Sequence, residues 1–399
     1  MHFTTTRLAL LAISAALCVA NVYYAQPLLD LIAADLALDR AAAGAVVTAT
    51  QAGSALALLF VVPLGDRFDR RRLMLAQLAA LALALAAVYA AANILALLGA
   101  MLLAGLLGTA MTQGLIAGVA AAAHPAERGR VVGAVQGGVV FGLLAARVVA
   151  GGVADLAGWR AVYALSAGLT VLLAALLWRA LPAMPAPARP LPYRALIGSM
   201  ATLLRTDRVL RTRGLIALLM FAVFNIFWSA LALELAGPPH TLPHAAIGAF
   251  GLVGMAGALG ALRAGRLADR GHGERTSGAA LLLLCIAWLP LAFTPASLLA
   301  LAIGIVALDL AVQALHVTNQ SLVLRSGAGA HSRLVGCYML FYAVGSGAGA
   351  LAATAAHAAG GWQAVCVLGA GVSVAALLFW RATLHVPAAT VPADECPGV

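Results

Sequence analysis

The sequence predicts an all-α integral membrane protein with twelve transmembrane helices, arranged as two pseudo-symmetric six-helix bundles. The composition, the distribution of arginine and a repeat between the two halves support this prediction. Of the 399 residues, 63% are hydrophobic and only 10% are charged, and the mean hydropathy is +1.00. A soluble domain has about 45–50% apolar and about 25% charged residues, so the surplus apolar surface must face lipid.

Long apolar segments bounded by charge, glycine and proline are expected to be helices, because a helix satisfies its own backbone hydrogen bonds in lipid. About twenty such residues cross the hydrocarbon core. The first segment continues without a convincing small-x-small cleavage site, which favours a retained helix over a signal peptide. The predicted spans are 8–29, 42–63, 73–92, 94–122, 131–155, 160–181, 214–236, 245–267, 277–295, 297–323, 334–358 and 363–384.

All 24 basic residues are arginine, and their distribution predicts the orientation of the chain. If the N-terminus is cytoplasmic, 21 arginines fall at cytoplasmic ends or loops, Arg40 and Arg160 fall outside, and Arg147 lies within a span. This asymmetry follows the positive-inside rule, so both termini are expected in the cytoplasm. The same rule accounts for the net charge of +10, and nucleic acid is not expected as a partner.

The predicted domains are an N-terminal six-helix bundle at 1–181, a cytoplasmic linker at 182–213, a C-terminal six-helix bundle at 214–384 and a cytoplasmic tail at 385–399. The linker opens with a proline-rich stretch, which cannot be helical. Its second part is rich in arginine and predicts a basic helix lying on the inner membrane surface.

The two halves match at a nearly constant offset, which indicates duplication of a six-helix unit. Asp66 and Asp269 are 203 residues apart (269 minus 66). Three further pairs keep the same order at an offset of 203 or 204: Asn21-x-x-Tyr24 with Asn225-x-x-Trp228, Arg130-Val131-Val132-Gly133 with Arg333-Leu334-Val335-Gly336, and Gly158-Trp159 with Gly361-Trp362. Parallel repeats of this kind are one architecture of secondary transporters.

Two loop segments resemble motif A of the major facilitator superfamily, roughly G-x-L-a-D-R-x-G-R-R. They are Val62 to Arg71 and, more closely, Gly265-Arg266-Leu267-Ala268-Asp269-Arg270-Gly271. The segments Asn21 to Leu29 and Asp309 to Gln320 are similar to a bacterial branch of efflux permeases grouped with drug/proton antiporters. The resemblance implies a transporter of the bacterial inner membrane that moves a small molecule by rocking two bundles about a central cavity lined by helices 1, 4, 7 and 10.

Two departures from the family pattern argue against a simple proton antiporter. The helix 4 arginine of motif B is replaced by Met101. The first glycine, second glycine and proline of the antiporter motif in helix 5 are replaced by Leu143, Arg147 and Val148. Uptake or uniport of a small metabolite without proton coupling therefore stays open as an alternative.

The tenth span carries the main candidate site. Asp309, Gln313, His316 and Gln320 are spaced by four, three and four residues, which places them on one helix face, with Asn319 beside them. A charged Asp near mid-bilayer costs at least about 2.5–3.5 kcal/mol, so it must face water, pair or bind a proton. We therefore expect a substrate or proton site here; the alternative is a polar stripe that bonds a neighbouring helix.

The other expected cavity helices carry fewer polar groups, which are Gln113, Asn21, Tyr24, Asn225 and Trp228. The aromatic members suit a hydrophobic or amphipathic solute, although ordinary helix packing would use the same residues. Arg147 is a buried charge that requires a partner, either across the interface between the bundles or on an anionic substrate.

The motif A loops are interpreted as a conformational latch formed by Asp66, Arg67, Arg70, Asp269 and Arg270. An aspartate near the N-terminus of a neighbouring helix is stabilised by about 0.3–1 kcal/mol, and the contact would break when access alternates. The alternative is a topology anchor in which the aspartates are solvated.

The energy source is expected to be a gradient, because the chain has no lysine and hence no phosphate-binding G-x-x-x-x-G-K-[ST] loop. The leading interpretation is a monomeric secondary transporter that exports a small solute, with protons as the coupling ion and lipid as its surroundings. An enzyme or a non-transporting sensor is disfavoured, because no nucleophile and base cluster can be identified. No cofactor or metal is expected, since the five cysteines form no C-x-x-C pair.

Overall fold

The structure, a computed structural model, describes residues 4–124, 127–181, 192–260, 272–326 and 331–384. The described part is built from α-helices. They are α1 Thr5–Tyr23, α2 Leu29–Asp35, α3 Gly44–Leu56, α4 Arg70–Ala90, α5 Ile94–Ala122, α6 Arg128–Ala157, α7 Trp159–Ala180, α8 Tyr193–Thr206, α9 Arg208–Ala236, α10 His244–Gly260, α11 Gly273–Ile286, α12 Trp288–Leu291, α13 Leu298–Ser326 and α14 His331–Thr383.

Ten helices of the described part are long and apolar enough to cross a membrane. One of them, residues 333–383, is 51 residues long. At about 1.5 Å per residue it is more than twice as long as the hydrocarbon core, about 30 Å, is thick. It is broken at Gly361, where φ is +64°, and so supplies two spans. With the shorter apolar helix α10, the predicted count of twelve is reached.

Prolines end two helices earlier than the hydropathy pattern predicts. The first predicted span runs to residue 29, but α1 ends at Tyr23, ahead of a 3₁₀ turn that contains Pro27. The second predicted span is continuous to residue 63, but α3 ends at Leu56 and passes into a π-helical stretch and then a 3₁₀ turn that contains Pro63. Proline lacks the backbone N–H that an α-helix needs at these positions.

Two hydrophobic cores lie in the two six-helix bundles. One gathers buried side chains between Leu8 and Leu181, and the other gathers those between Met200 and Ala376. Ala350 of α14 packs into the first core and joins the bundles. The linker includes the predicted helix α8, and α9 begins at Arg208 rather than at residue 214.

Consecutive helices joined by short loops run antiparallel, which gives the protein two ends. We call the end that holds α8 and the first residues of α1 the linker end, and the opposite one the far end. At the linker end, α8 touches both bundles, because the Tyr193 hydroxyl donates to the Phe60 carbonyl (2.7 Å) and Cys337 Sγ lies 3.7 Å from the Met200 carbonyl. The far end includes the loops after α1, α6 and α9.

Candidate functional site

A cavity of about 270 Å³ lies between the two bundles, on the linker side of mid-bundle. Six helices, three from each bundle, line it. The lining residues are Val19, Val22 and Tyr23 of α1, Thr109, Thr112 and Gln113 of α5, Gln136, Val139, Val140, Leu143 and Leu144 of α6, Phe221 of α9, Gln313, His316, Val317 and Gln320 of α13, and Met339 and Tyr342 of α14. Among the described residues, the lining includes four glutamines and two threonines but no aspartate, glutamate or arginine.

His316 is held in place by aromatic neighbours on the side of the cavity that the C-terminal bundle forms. Its Nδ1 lies 3.1 Å from the Tyr338 hydroxyl, and Phe221 packs edge-on against the imidazole at a centroid distance of 5.3 Å. Tyr23 and Tyr342 are hydrogen-bonded to each other through their hydroxyls on the far-end side of the cavity. This bond joins α1 to α14. The cavity is therefore polar along α5 and α13 and aromatic on its far-end side.

The structure brings four of the predicted site residues to the cavity: Gln113, Gln313, His316 and Gln320. Sequence reasoning missed Gln136, Tyr23 and Tyr342 as lining residues. Gln136 carried a usable signal, since it is a polar side chain within an apolar segment.

Asn21, Tyr24 and Asn319 lie away from the cavity, in the packing within single bundles. Asn21 Oδ1 accepts a hydrogen bond from Ser166 of α7 (2.7 Å), and Tyr24 packs edge-on against Tyr163. The fully buried Asn319 faces Arg213 of α9, with an Oδ1 to Nη1 distance of 3.5 Å.

Arg147 is 2% exposed and forms a polar cluster that spans the interface between the bundles. Its Nη2 donates to Gln26 Oε1 (2.9 Å), and Gln26 Nε2 donates to Asn225 Oδ1 (2.8 Å). The guanidinium carbon lies 4.0 Å from the ring centroid of Trp228, a cation–π contact. This cluster gives the buried charge of Arg147 the partners that it requires. The predicted site residues Asn225 and Trp228 both belong to the cluster.

Asp309 is 3% exposed and lies deeper than the cavity lining, between α13 and α10. A Cβ added at Gly254 would lie 2.8 Å from Asp309 Oδ2, and one added at Gly251 would lie 3.4 Å from Arg147 Cδ. The two glycines are one helical turn apart on α10, so both charged groups occupy the space that the missing side chains leave. Arg147 and Asp309 interact electrostatically, and within the described residues Asp309 Oδ2 has no hydrogen-bond partner.

The bundles are closed against each other at the far end. α6 and α10 approach so closely that a Cβ at Gly151 or Gly248 would collide with the carbonyl of His244 or Arg147, respectively. Thr354 of α14 accepts a hydrogen bond from the Gly44 N–H (3.1 Å) and donates to the Ala41 carbonyl (2.9 Å). A solute in the cavity is thereby separated from the far end.

The motif A loop is held within the N-terminal bundle. Arg70 Nε donates to the Gly65 carbonyl (2.9 Å) and Nη1 to the Ala117 carbonyl (3.0 Å), while Asp69 caps α4 by accepting from the Arg72 N–H. Arg67 is exposed. The side chain of Asp66, together with Asp269 and Arg270, lies outside the described residues, so the latch stays a prediction.

Comparisons with known proteins agree with this architecture. The Major Facilitator Superfamily matches at residues 11–276 and 214–395. The chain is 43% identical over 376 residues to the uncharacterized transporter YgaY of Escherichia coli O157:H7, covering 94% of this chain and 95% of the relative. Solved structures share the fold at low identity, and two of them are described next.

One is a bacterial homologue of the human lysosomal transporter Spinster in an inward-facing, occupied conformation, with a TM-score of 0.74, 16% identity, and coverage of 95% of this chain and 94% of that one. The other is the nucleoside transporter NupG, with a TM-score of 0.75, 14% identity, and coverage of 96% and 100%, respectively. At such identities the likeness concerns the fold alone.

Proposed function

We propose, from the premise that this chain belongs to the Major Facilitator Superfamily, that it exports a small, uncharged, amphipathic solute in exchange for protons. The chain is a membrane transporter of that superfamily; the solute, the direction and the coupling ion are our proposal. The single observation that carries it is the cavity between the bundles, with Asp309 and Arg147 directly beyond its closed end.

The lining of the cavity supports an uncharged solute. A charged solute taken from water into an apolar site is strongly destabilised unless the site offers a counter-charge. The lining offers glutamine and threonine groups, which donate and accept hydrogen bonds, and aromatic and aliphatic walls. A solute with one hydrogen-bonding part and one apolar part matches both.

Asp309 supports proton coupling. It is an acidic side chain buried within the span, where the charged form is costly unless a positive group is near. Arg147, from the other bundle, is that group in the far-end-closed structure. When the far end opens, α6 and α10 must separate, Arg147 withdraws, and Asp309 then takes up a proton.

The arginine distribution supports a cytoplasmic linker end, with both termini in the cytoplasm of a bacterial cell and the protein in its inner membrane. In this orientation the structure is closed towards the outside. Export then consists of binding from the cytoplasm, rocking of the bundles and release at the far end, while the proton moves inward.

Energised everted membrane vesicles test the proposal. A deletion strain is first screened for altered sensitivity to a panel of neutral amphipathic compounds, and each active compound is then added to vesicles that carry a pH-sensitive dye. We expect the compound to dissipate the pH gradient with the wild-type protein and with Asp39→Asn, a matched control at an exposed position, but not with Asp309→Asn. An equal response from Asp309→Asn would exclude that residue from coupling.

One observation favours the alternative of uptake or uniport without protons. Met101, which replaces the motif B arginine, is fully buried, so α5 offers no charged group at this position. Uniport predicts counterflow of the solute in proteoliposomes with no movement of protons, and that result would replace the exchange mechanism.

A further inference from the structure

Three titratable residues meet at the far end, outside the cavity and its charged cluster. His244, the first residue of α10, lies between Asp30 of α2 and Asp155 near the end of α6. His244 Nε2 is 2.8 Å from Asp30 Oδ2, and its Nδ1 is 3.2 Å from Asp155 Oδ1. Asp155 also accepts from the backbone N–H groups of His244 (3.0 Å) and Ala245 (2.7 Å). We call these three residues the outer triad.

The geometry of the outer triad favours the protonated imidazole. A neutral imidazole has one N–H donor and one nitrogen acceptor, whereas an ionised carboxylate only accepts. Both ring nitrogens of His244 face carboxylate oxygens, so only the imidazolium donates to both. The side chains are 12% exposed for His244, 22% for Asp30 and 27% for Asp155, so water reaches the group.

Other titratable groups of the described residues lie near the triad but do not contact His244. From α6, the backbone of Arg147 lies one turn deeper along α10, at Gly248, and its side chain lies about two turns deeper, at Gly251. From α13, Asp309 lies deeper still, at Gly254. Towards the end of α9, Glu234 is 3.3 Å from His357, and His240 Nε2 is 2.8 Å from the Thr294 carbonyl. Within the described residues, Asp30 and Asp155 are therefore the charged groups that contact His244.

The triad joins the two bundles. Asp30 and Asp155 belong to the N-terminal bundle and His244 to the C-terminal one, and the carbonyl of His244 faces Gly151, where α6 and α10 approach each other closely. The far end cannot open without separating His244 from both carboxylates. The contacts exist only in the closed arrangement, so the energy of the contacts enters directly into the balance between the two arrangements.

We propose that Asp30, His244 and Asp155 form a proton-binding site on the outer face, and that the bound proton holds the far end closed. The site is separate from Asp309, and it operates whether or not transport is coupled to protons. External acidity then favours the arrangement that opens at the linker end, and external alkalinity favours opening at the far end.

The direction of the pH dependence follows from the pKa of His244, which lies ahead of the apolar part of α10. The hydrogen bond with Asp30, followed by the other contacts with the two carboxylates, raises this pKa above its ordinary value in the closed arrangement. The proton on His244 therefore stabilises the closed arrangement fully at pH values below the pKa that His244 has in the open arrangement. This stabilisation is lost as the pH rises through the pKa that His244 has in the closed arrangement.

Cysteine accessibility tests the proposal without any solute. Ala232, 1% exposed, lies behind the triad, in a small pocket that it shares with Arg147. Ala232→Cys is introduced into the full chain without its five native cysteines, in lipid nanodiscs, and its rate of reaction with a maleimide is measured between about pH 5 and about pH 8, the range in which histidine titrates. Dividing by the rate of Asp39→Cys, an exposed position, removes the intrinsic pH dependence of the thiol.

We expect the normalised rate of the wild type, relative to that of His244→Gln, to rise about tenfold across this range, a usual size for the coupling between two linked equilibria. His244→Gln should give a high rate that lacks this rise. The pH dependence that it retains should have the opposite sign, because proton uptake by Asp309 accompanies opening of the far end. His357→Gln is the matched control, since its carboxylate partner Glu234 belongs to the same bundle, and it should retain the wild-type pH dependence. If His244→Gln does not fold, Asp30→Asn, which leaves the imidazole in place, should reduce the pH dependence. The same pH dependence in the wild type, His244→Gln and Asp30→Asn would overturn the proposal.

Discussion

Arg147 and Asp309 come from opposite bundles and lie against successive glycines of one helix, Gly251 and Gly254 of α10. Both side chains are buried, and the charge of Arg147 acts on Asp309 along a stretch of α10 where the two glycines leave no side chain in between. In the exchange mechanism that we propose, this arrangement ties the closing of the far end to the charge on Asp309, because the packing of α6 on α10 carries Arg147 into place.

We predict a strong energetic coupling between these two residues. Arg147→Gln leaves Asp309 as an uncompensated buried acid, whereas Arg147→Gln combined with Asp309→Asn removes both charges. The double variant should therefore be more stable than the sum of the single effects implies, by about 0.5–3 kcal/mol. Thermal unfolding of the purified protein in detergent measures this, and strictly additive effects would show that the two charges are independent.

Two adjacent glycines of α6 should respond differently to alanine. A Cβ at Gly151 would collide with the His244 carbonyl, whereas one at Gly152 would meet nothing within 4 Å. Gly151→Ala should therefore force α6 away from α10 at a cost of about 1–3 kcal/mol and raise the reactivity of Ala232→Cys. Gly152→Ala is the control and should behave as the wild type. Equal effects of the two substitutions would mean that the close approach does not hold the far end shut.

The cavity glutamines should set the affinity for the solute rather than the turnover rate. Gln113→Leu and Gln313→Leu each remove hydrogen-bonding groups from the cavity but keep its volume nearly constant. The loss of one net hydrogen bond, about 0.5–1.5 kcal/mol, should raise the KM for an exported solute several-fold and leave kcat nearly unchanged. Transport assays with a solute from the sensitivity screen measure both constants. Asn21→Leu, in the packing between α1 and α7, is expected to lower stability without this selective rise in KM.

The two motif A loops give a further prediction. If Asp66 and Asp269 act as a latch at the linker end, Asp66→Asn and Asp269→Asn should shift the balance towards opening at that end. The reactivity of a cysteine in the cavity, for instance Gln320→Cys, should then increase. A loss of inserted protein with unchanged reactivity would instead identify both aspartates as topology anchors.

The candidate site could be predicted in part, because a helix face is a local property. The spacing of Gln313, His316 and Gln320 on one span already indicates a shared face, and the structure places all three on the cavity. The same reasoning did not locate Asn21 or Tyr24, since these residues satisfy their polar groups against α7. Which face of a helix turns to the cavity depends on its neighbours, and a single segment does not contain that information.

The sequence by itself determined the membrane class, the number of spans and the duplication. These properties follow from apolar length, from the need to satisfy the backbone in lipid and from the recurrence of residues at a fixed offset. Only the tertiary structure decided the partners of Arg147, the position of Asp309 beside α10 and the existence of the outer triad. Asp30, Asp155 and His244 are distant along the chain and carry no common pattern. They become one site only because glycines let α6 and α10 pack closely enough to bring the two bundles into contact.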